Sequence, residues 1–209
     1  MRQETLNIMT KSIDTLIINK IKKARGGALF FIEDFLSFGN SKAISKALQR
    51  LVENEELSRV ARGMYARLQQ DPLLGAINPS TEDIAKAIAR RDKATIVPTG
   101  SLALNALGLS TQVPLNVVYL TDGSARKIDL GKRKIIFKKT SPKNLAAIGP
   151  ISKLAIQALK EIGKDNLKER EKEIILEHLR KEDPYKLEHD IRMAPEWIRV
   201  IMRQAIAKK

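Results

Sequence analysis

Apolar positions recur at three- and four-residue intervals near the start of the chain. Ile13, Leu16, Ile17, Ile21 and Ala24 fall on one face of a helix that Gly26-Gly27 ends. After a short apolar run, Ile32–Phe38 predicts a brief second helix with Phe35 and Leu36 turned inward. Gly39-Asn40 makes a tight turn, and Ser41 is the expected N-cap of a third helix from Lys42 to about Asn54. That helix buries Ile44, Ala47, Leu48, Leu51 and Val52, and its other face shows Lys42, Ser45, Lys46, Gln49 and Arg50. Two β-prone runs follow, Leu57–Ala61 and Met64–Arg67. They are joined by Arg62-Gly63, where glycine permits the positive φ of a hairpin turn. Helix, helix, turn, helix and hairpin, in that order, predict a winged helix-turn-helix over residues 1–70.

All eight prolines lie at or beyond Pro72, and the stretch QQDPLLGAINPS (Gln69–Ser80) concentrates Pro, Gly and Asn as a linker or ordered loop does. The boundary is placed there, with a second domain over 71–209. Thr81–Arg91 is amphipathic through Ile84, Ala85 and Ile88, with Thr81 as its cap. Ala94–Val97 is a short apolar run, and Ser101–Leu107 reads as a buried helix ended near Gly108. Leu115–Thr121, Arg126–Leu130 and Lys134–Lys139 read as strands separated by Asp122-Gly123 and Gly131, which predicts an antiparallel meander. From Ile151 the pattern turns helical. One face carries Ile151, Leu154, Ala155, Ala158, Leu159 and Ile162, and another Leu167, Ile174, Ile175 and Leu179. A last helix starts near Pro195 and buries Trp197, Ile198, Ile201 and Met202. The expected class is α+β: a winged helix-turn-helix, then a mixed α+β domain with a β-meander and a helical C-terminal tail.

Composition narrows the chemistry. Of 209 residues, 43% are hydrophobic and 30% charged, a globular balance, and the net charge is +14. No cysteine is present, which excludes disulfides, thiol catalysis and thiolate metal sites. The start MRQETLN has no apolar run of the kind export needs. The uncharged stretch Ala94–Thr121 is interrupted by Pro98, Gly100, Gly108 and Pro114, so it reads as core rather than membrane span. A cytoplasmic protein with no membrane partner is expected.

Half of the net charge, +7, lies between Arg126 and Lys143, where only Asp129 opposes eight basic residues. As a hairpin, Arg126, Lys127, Lys132, Arg133, Lys134, Lys138 and Lys139 would form a ridge for a nucleic acid or an acidic protein. Lysines that guard a sheet edge against pairing are the plainer alternative. In the first domain, the basic helix face lies next in sequence to Arg59, Arg62 and Arg67 of the hairpin. A helix that enters a major groove, with arginines along the flanking phosphates, needs that combination. The alternative is a winged helix that binds protein. Phe30, Phe31, Phe35 and Phe38 read as core, not as stacking platforms for bases.

Enzyme signatures are absent. No G-x-G-x-x-G, G-x-x-x-x-G-K-[ST] or G-x-S-x-G occurs. His178 and His189 stand eleven residues apart in charged helices, without the company a zinc site needs. Thr99-Gly100-Ser101 resembles the Gly-Ser opening of nucleotidyltransferases, but Gln112-Val113-Pro114 stands where their metal-binding acids belong. No catalytic residue, metal ligand or cofactor is therefore assigned. Asp92, Asp122 and Asp129 are the acids a rival, metal-dependent reading would use.

The groove helix followed by LSRVARGMYAR resembles the opening domain of AbiEi-like antitoxins, the regulator half of bacterial abortive-infection type IV toxin–antitoxin pairs. VPTGSLALNALGLSTQVP, VVYLTDGSARKI, FKKTSPKNLA and KLEHDIRMAPEWI resemble a related group of AbiEi-like proteins of mostly unknown function. The resemblance implies a winged helix that binds inverted repeats in its own promoter as an autorepressor. It also implies a second domain that opposes a nucleotidyltransferase toxin without an assured direct contact. DNA contacts would fall on Ser41, Lys42, Ser45, Lys46, Gln49, Arg59 and Arg62. The alternatives are a protein-interaction adaptor and a solitary winged-helix regulator.

Overall fold

The Ser12 hydroxyl accepts the amide of Thr15 and so opens helix α1 (Ile13–Lys23), whose Ile17 and Ile21 are buried. The computed structural model describes residues 12–73 and 75–207; the opening MRQETLN lies outside the described residues. Strand β1 (Leu29–Phe31) follows, then a 3₁₀ helix over Ile32–Phe38, helix α2 (Ser41–Glu53) and strands β2 (Ser58–Ala61) and β3 (Met64–Ala66). The three strands pair antiparallel in the order β1-β3-β2, and central β3 is buried at all three positions. The arrangement is a winged helix-turn-helix. Its core joins Ile17, Phe35, Ile44, Leu48, Leu57 and Tyr65.

Two local expectations are corrected. Leu36 is 50% exposed rather than turned inward. The segment is 3₁₀, with three residues per turn, so Ile32, Phe35 and Phe38 share the inner face and Leu36 rotates off it. The cap of α2 is Asn40, whose Oδ1 accepts the Ala43 amide at 2.9 Å; Ser41 is the first helical residue.

The Pro/Gly/Asn segment is an ordered antiparallel pair, β4 (Gln69–Asp71) with β5 (Gly75–Ile77). Its Gln69 side chain lies against Gly26. One compact unit of the chain runs to Ala87 and the other starts at Ile88, so the division falls inside helix α3 (Thr81–Arg91). The boundary expected from the sequence is at 70/71. Ser80, not Thr81, caps α3: its hydroxyl accepts the Asp83 amide at 3.1 Å.

The second unit continues with β6 (Ile96–Pro98), α4 (Ser101–Ala106), β7 (Asn116–Thr121), β8 (Arg126–Leu130) and β9 (Arg133–Lys139). A 3₁₀ turn, Pro142–Leu145, leads into four helices: α5 (Pro150–Ile162), α6 (Glu169–Leu179), α7 (Pro184–Met193) and α8 (Glu196–Ala207). The strand order is β6-β7-β9-β8, with β7 parallel to β9, so the expected meander is incorrect. Gly131, at φ 73°, closes a tight hairpin that holds β8 on β9. β7 buries Val117 and Tyr119 and takes as neighbour the strand that buries Ile135 and Phe137; the Tyr119 and Phe137 rings stack at 6.1 Å. β8 alternates half-buried residues with exposed Lys127 and Asp129 and belongs at the edge.

The helices enclose Leu107, Leu159, Ile175, Leu179, Ile198 and Met202. Trp197, expected to be buried, is only partly so. The N-terminus of α5 is gripped by two buried carboxylates. Asp190 accepts the Ile148 and Gly149 amides at 2.8 and 2.7 Å, and Glu182 those of Ile151 and Ser152 at 2.7 and 3.0 Å. The class is mixed α+β with a helical C-terminal segment. No described helix is long and apolar enough to cross a membrane.

Candidate nucleic-acid interface

Helix α2 buries Ile44, Ala47, Leu48 and Leu51, which fixes its opposite face outward. On that face Ser41, Lys42, Lys46 and Gln49 are exposed and Ser45 is half-buried. Lys42, Lys46 and Gln49 are spaced by four and three residues and so stand in one row. Glu53 is the sole acid of α2 and closes the row at its C-terminal end, where it accepts the Gln49 amide at 3.1 Å. The rest of the face carries positive or neutral polar groups.

Two of the arginines assigned to DNA are engaged within the protein. Arg50 makes a two-point ion pair with Asp14, its Nε and Nη2 at 2.8 and 2.6 Å from the carboxylate oxygens, which braces α2 against α1. The hydrogen bond from Arg50 holds the Asp14 carboxyl below its ordinary pKa, and the same bond raises that of Arg50. Arg67 donates to the carbonyl oxygens of Lys22, at 3.0 Å, and Ala24, closing the C-terminal end of α1. None of these three partners was legible locally, because they stand 36, 45 and 43 residues away. Arg59 on β2 and Arg62 at the hairpin tip are exposed, and Gly63 takes the turn at φ 71°. Among the described residues, the cations of this unit's candidate surface that pair with no acid or carbonyl are Lys42 and Lys46 on the helix and Arg59 and Arg62 on the wing.

The basic ribbon β8–β9 is not one ridge, which corrects the expectation. Side chains alternate along a strand, and register pairs share a face. Lys127, Lys134 and Lys138 therefore stand on one face, and Arg126, Arg133 and Lys139 on the other, with Lys132 exposed in the turn. Arg126 turns inward: it lies 5.5 Å from the Phe137 ring centre and pairs with Asp92. Burial, then the neighbouring Arg91 charge, holds its pKa below the ordinary value. Lys134 pairs with Asp129 at 3.5 Å.

The acids of the metal-dependent rival serve other partners. Asp122 accepts the Thr95 amide at 2.8 Å, Asp92 holds Arg91 and Arg126, and Asp129 faces Lys134. His189 Nδ1 lies 2.8 Å from the Asp190 carboxylate, while His178 sits on α6. No group of three potential ligands gathers among the described residues. The sequence reading missed one cluster, Lys143, Lys153 and Lys160 around Gln157. Its signal was the spacing of three, four and seven residues from Lys153 to Ile156, Gln157 and Lys160 along α5.

Compared with known proteins, residues 16–187 match the model of a family described as a family of unknown function (DUF6088). No curated protein matches the chain.

Proposed function

The chain belongs to the DUF6088 family, and we propose that this member is a DNA-binding transcriptional regulator that represses its own promoter. The observation that supports this reading is the row Lys42, Lys46 and Gln49, exposed on α2 of a winged helix whose wing carries exposed Arg59 and Arg62. A helix about 10–12 Å across fits the major groove, where lysine and glutamine reach base edges. The wing arginines lie along flanking phosphates and release counterions. Gln49, oriented by Glu53, presents its amide oxygen for base readout, while Ser41 and Ser45 suit phosphate contacts. The protein acts in the cytoplasm without catalysis or cofactor.

The second unit is of antitoxin type and opposes a nucleotidyltransferase toxin. That part of the proposal rests on the resemblance of VPTGSLALNALGLSTQVP and the later strings to AbiEi-like proteins. Solitary regulation and a protein-interaction role are the competing readings. The deciding measurement is affinity for the protein's own upstream DNA against salt, for wild type and the Lys46→Ala/Arg62→Ala variant. Each lost phosphate contact flattens the log–log slope by about 0.9. An unchanged slope and affinity reject this docking surface, and a stoichiometric protein partner with no DNA preference favours the adaptor.

A further inference from the structure

Outside the winged helix, the second unit contains a small cleft between the 3₁₀ turn Pro142–Leu145, the side of α5 and the end of α7. The lysines Lys143, Lys153 and Lys160 line it, with Asn144 and Gln157. No carboxylate lines the cleft, and none of the three lysines makes an ion pair among the described residues. Like charges gathered without a counter-charge repel one another, so a fold that assembles them gains when an anion enters.

The uncharged donors and acceptors are arranged around this gap. Asn144 Nδ2 donates to Thr140 Oγ1 at 2.8 Å, which aims Oδ1 at Lys160 Nζ, 3.1 Å away. Gln157 is only 6% exposed and lines the cleft. Its NH2 group can donate, as the lysines do, to acceptor oxygens in the cleft. The Lys160 ammonium lies below its ordinary pKa, first through burial and then through the Lys143 charge. Val97, Ile156 and Met193 supply an apolar wall, and the cavity volume is about 40 Å³. At about 10–15 Å³ per water, that holds a few water-sized groups, the scale of one tetrahedral oxyanion.

We propose that this cleft is a binding site for a phosphate group, held by Lys143, Lys153 and Lys160 with the Gln157 amide as an additional donor. The group comes either from free inorganic phosphate or from a small monoester whose organic part leaves along the apolar wall. The site lies wholly in the second unit and is independent of the DNA-docking proposal.

Calorimetric titration of the full chain in phosphate-free buffer tests it, with inorganic phosphate and, separately, adenosine 5′-monophosphate as probes. Saturable 1:1 binding is expected, weakened at least about tenfold by Lys160→Gln, since a charge-assisted contact contributes on the order of 1.5–3 kcal/mol. Lys132→Gln, in the ribbon turn, should leave it unchanged. Gln157→Leu, which removes the amide at similar size, should weaken binding by a smaller factor without lowering the melting temperature. Tighter binding of the nucleotide identifies a monoester, and equal binding identifies the free ion. Absence of saturable binding to wild type, or equal loss in Lys132→Gln and Lys160→Gln, overturns the proposal.

Discussion

The outward face of α2 and the ribbon β8–β9 are both basic, but only the first gathers its cations. Lys42 and Lys46 stand one helical turn apart and point the same way, with Gln49 beside them. The ribbon has more charge and distributes it over two faces, a turn and an inward pair: Lys127, Lys134 and Lys138 on one side, Arg133 and Lys139 on the other, and Arg126 against Phe137 and Asp92. A run of charge in sequence becomes a surface only when its spacing matches the period of the element that carries it. Four-residue spacing suits a helix. Consecutive lysines on a strand point to opposite sides.

The comparison is tested hardest at α2. Lys42→Ala/Lys46→Ala removes two cations from the groove face and should flatten the salt dependence of operator binding by up to about 1.8, the largest effect expected here. Arg126→Ala comes next and separates one ribbon residue from its neighbours. It should cost about 1–3 kcal/mol in denaturant unfolding, because it strips Asp92 of a partner and uncovers Phe137. Lys127→Ala, one residue on and exposed, should stay within about 0.5 kcal/mol. A smaller effect is predicted for charge removal by face. Lys127→Gln/Lys134→Gln/Lys138→Gln and Arg133→Gln/Lys139→Gln should change operator affinity by unequal amounts, and equal loss per charge would restore the single-ridge picture.

The smallest effect belongs to Arg50. Arg50→Ala should leave the salt slope unchanged, since its guanidinium faces Asp14 rather than the groove. What it should alter is acid stability. The Asp14 carboxyl is lowered in the folded chain, so its contribution is present above the ordinary value of about 4 and lost as pH falls through the folded value. Unfolding curves from neutral pH to below pH 4 should show less acid sensitivity in the variant.

Sequence spacing made the helices legible where an apolar face ran unbroken. The body of Thr81–Arg91 was readable, though not its cap, because Ile84, Ala85 and Ile88 mark one side and charged residues the other. α7 was not read as a separate helix, for its buried apolar residues are only Leu187 and Ile191. The meander failed because strand order depends on which faces are buried together, and Val117 and Tyr119 meet their partners beyond the intervening β8. The row on α2 was legible from residue period alone. That Arg50 and Arg67 are engaged elsewhere was not, since a guanidinium's partner can sit anywhere the fold brings a carboxylate or carbonyl. The cleft beside α5 went unread for a different reason: Lys153 and Lys160 lie on a helix read only for its apolar face, and the turn that carries Lys143 and completes the cleft lies before that helix in the chain.

The parallel pairing of β7 with β9 also sets a hazard for the nascent polypeptide. NVVYLT carries no charge, and it emerges from the ribosome with only Ile96–Pro98 to lie beside it. Until Arg133–Lys139 has been translated, one flank of this sticky hexapeptide is left without its proper neighbour. Slow synthesis between these two segments would lengthen that interval, so codon choice across residues 122–132 bears on how much of the chain reaches its native state rather than aggregating.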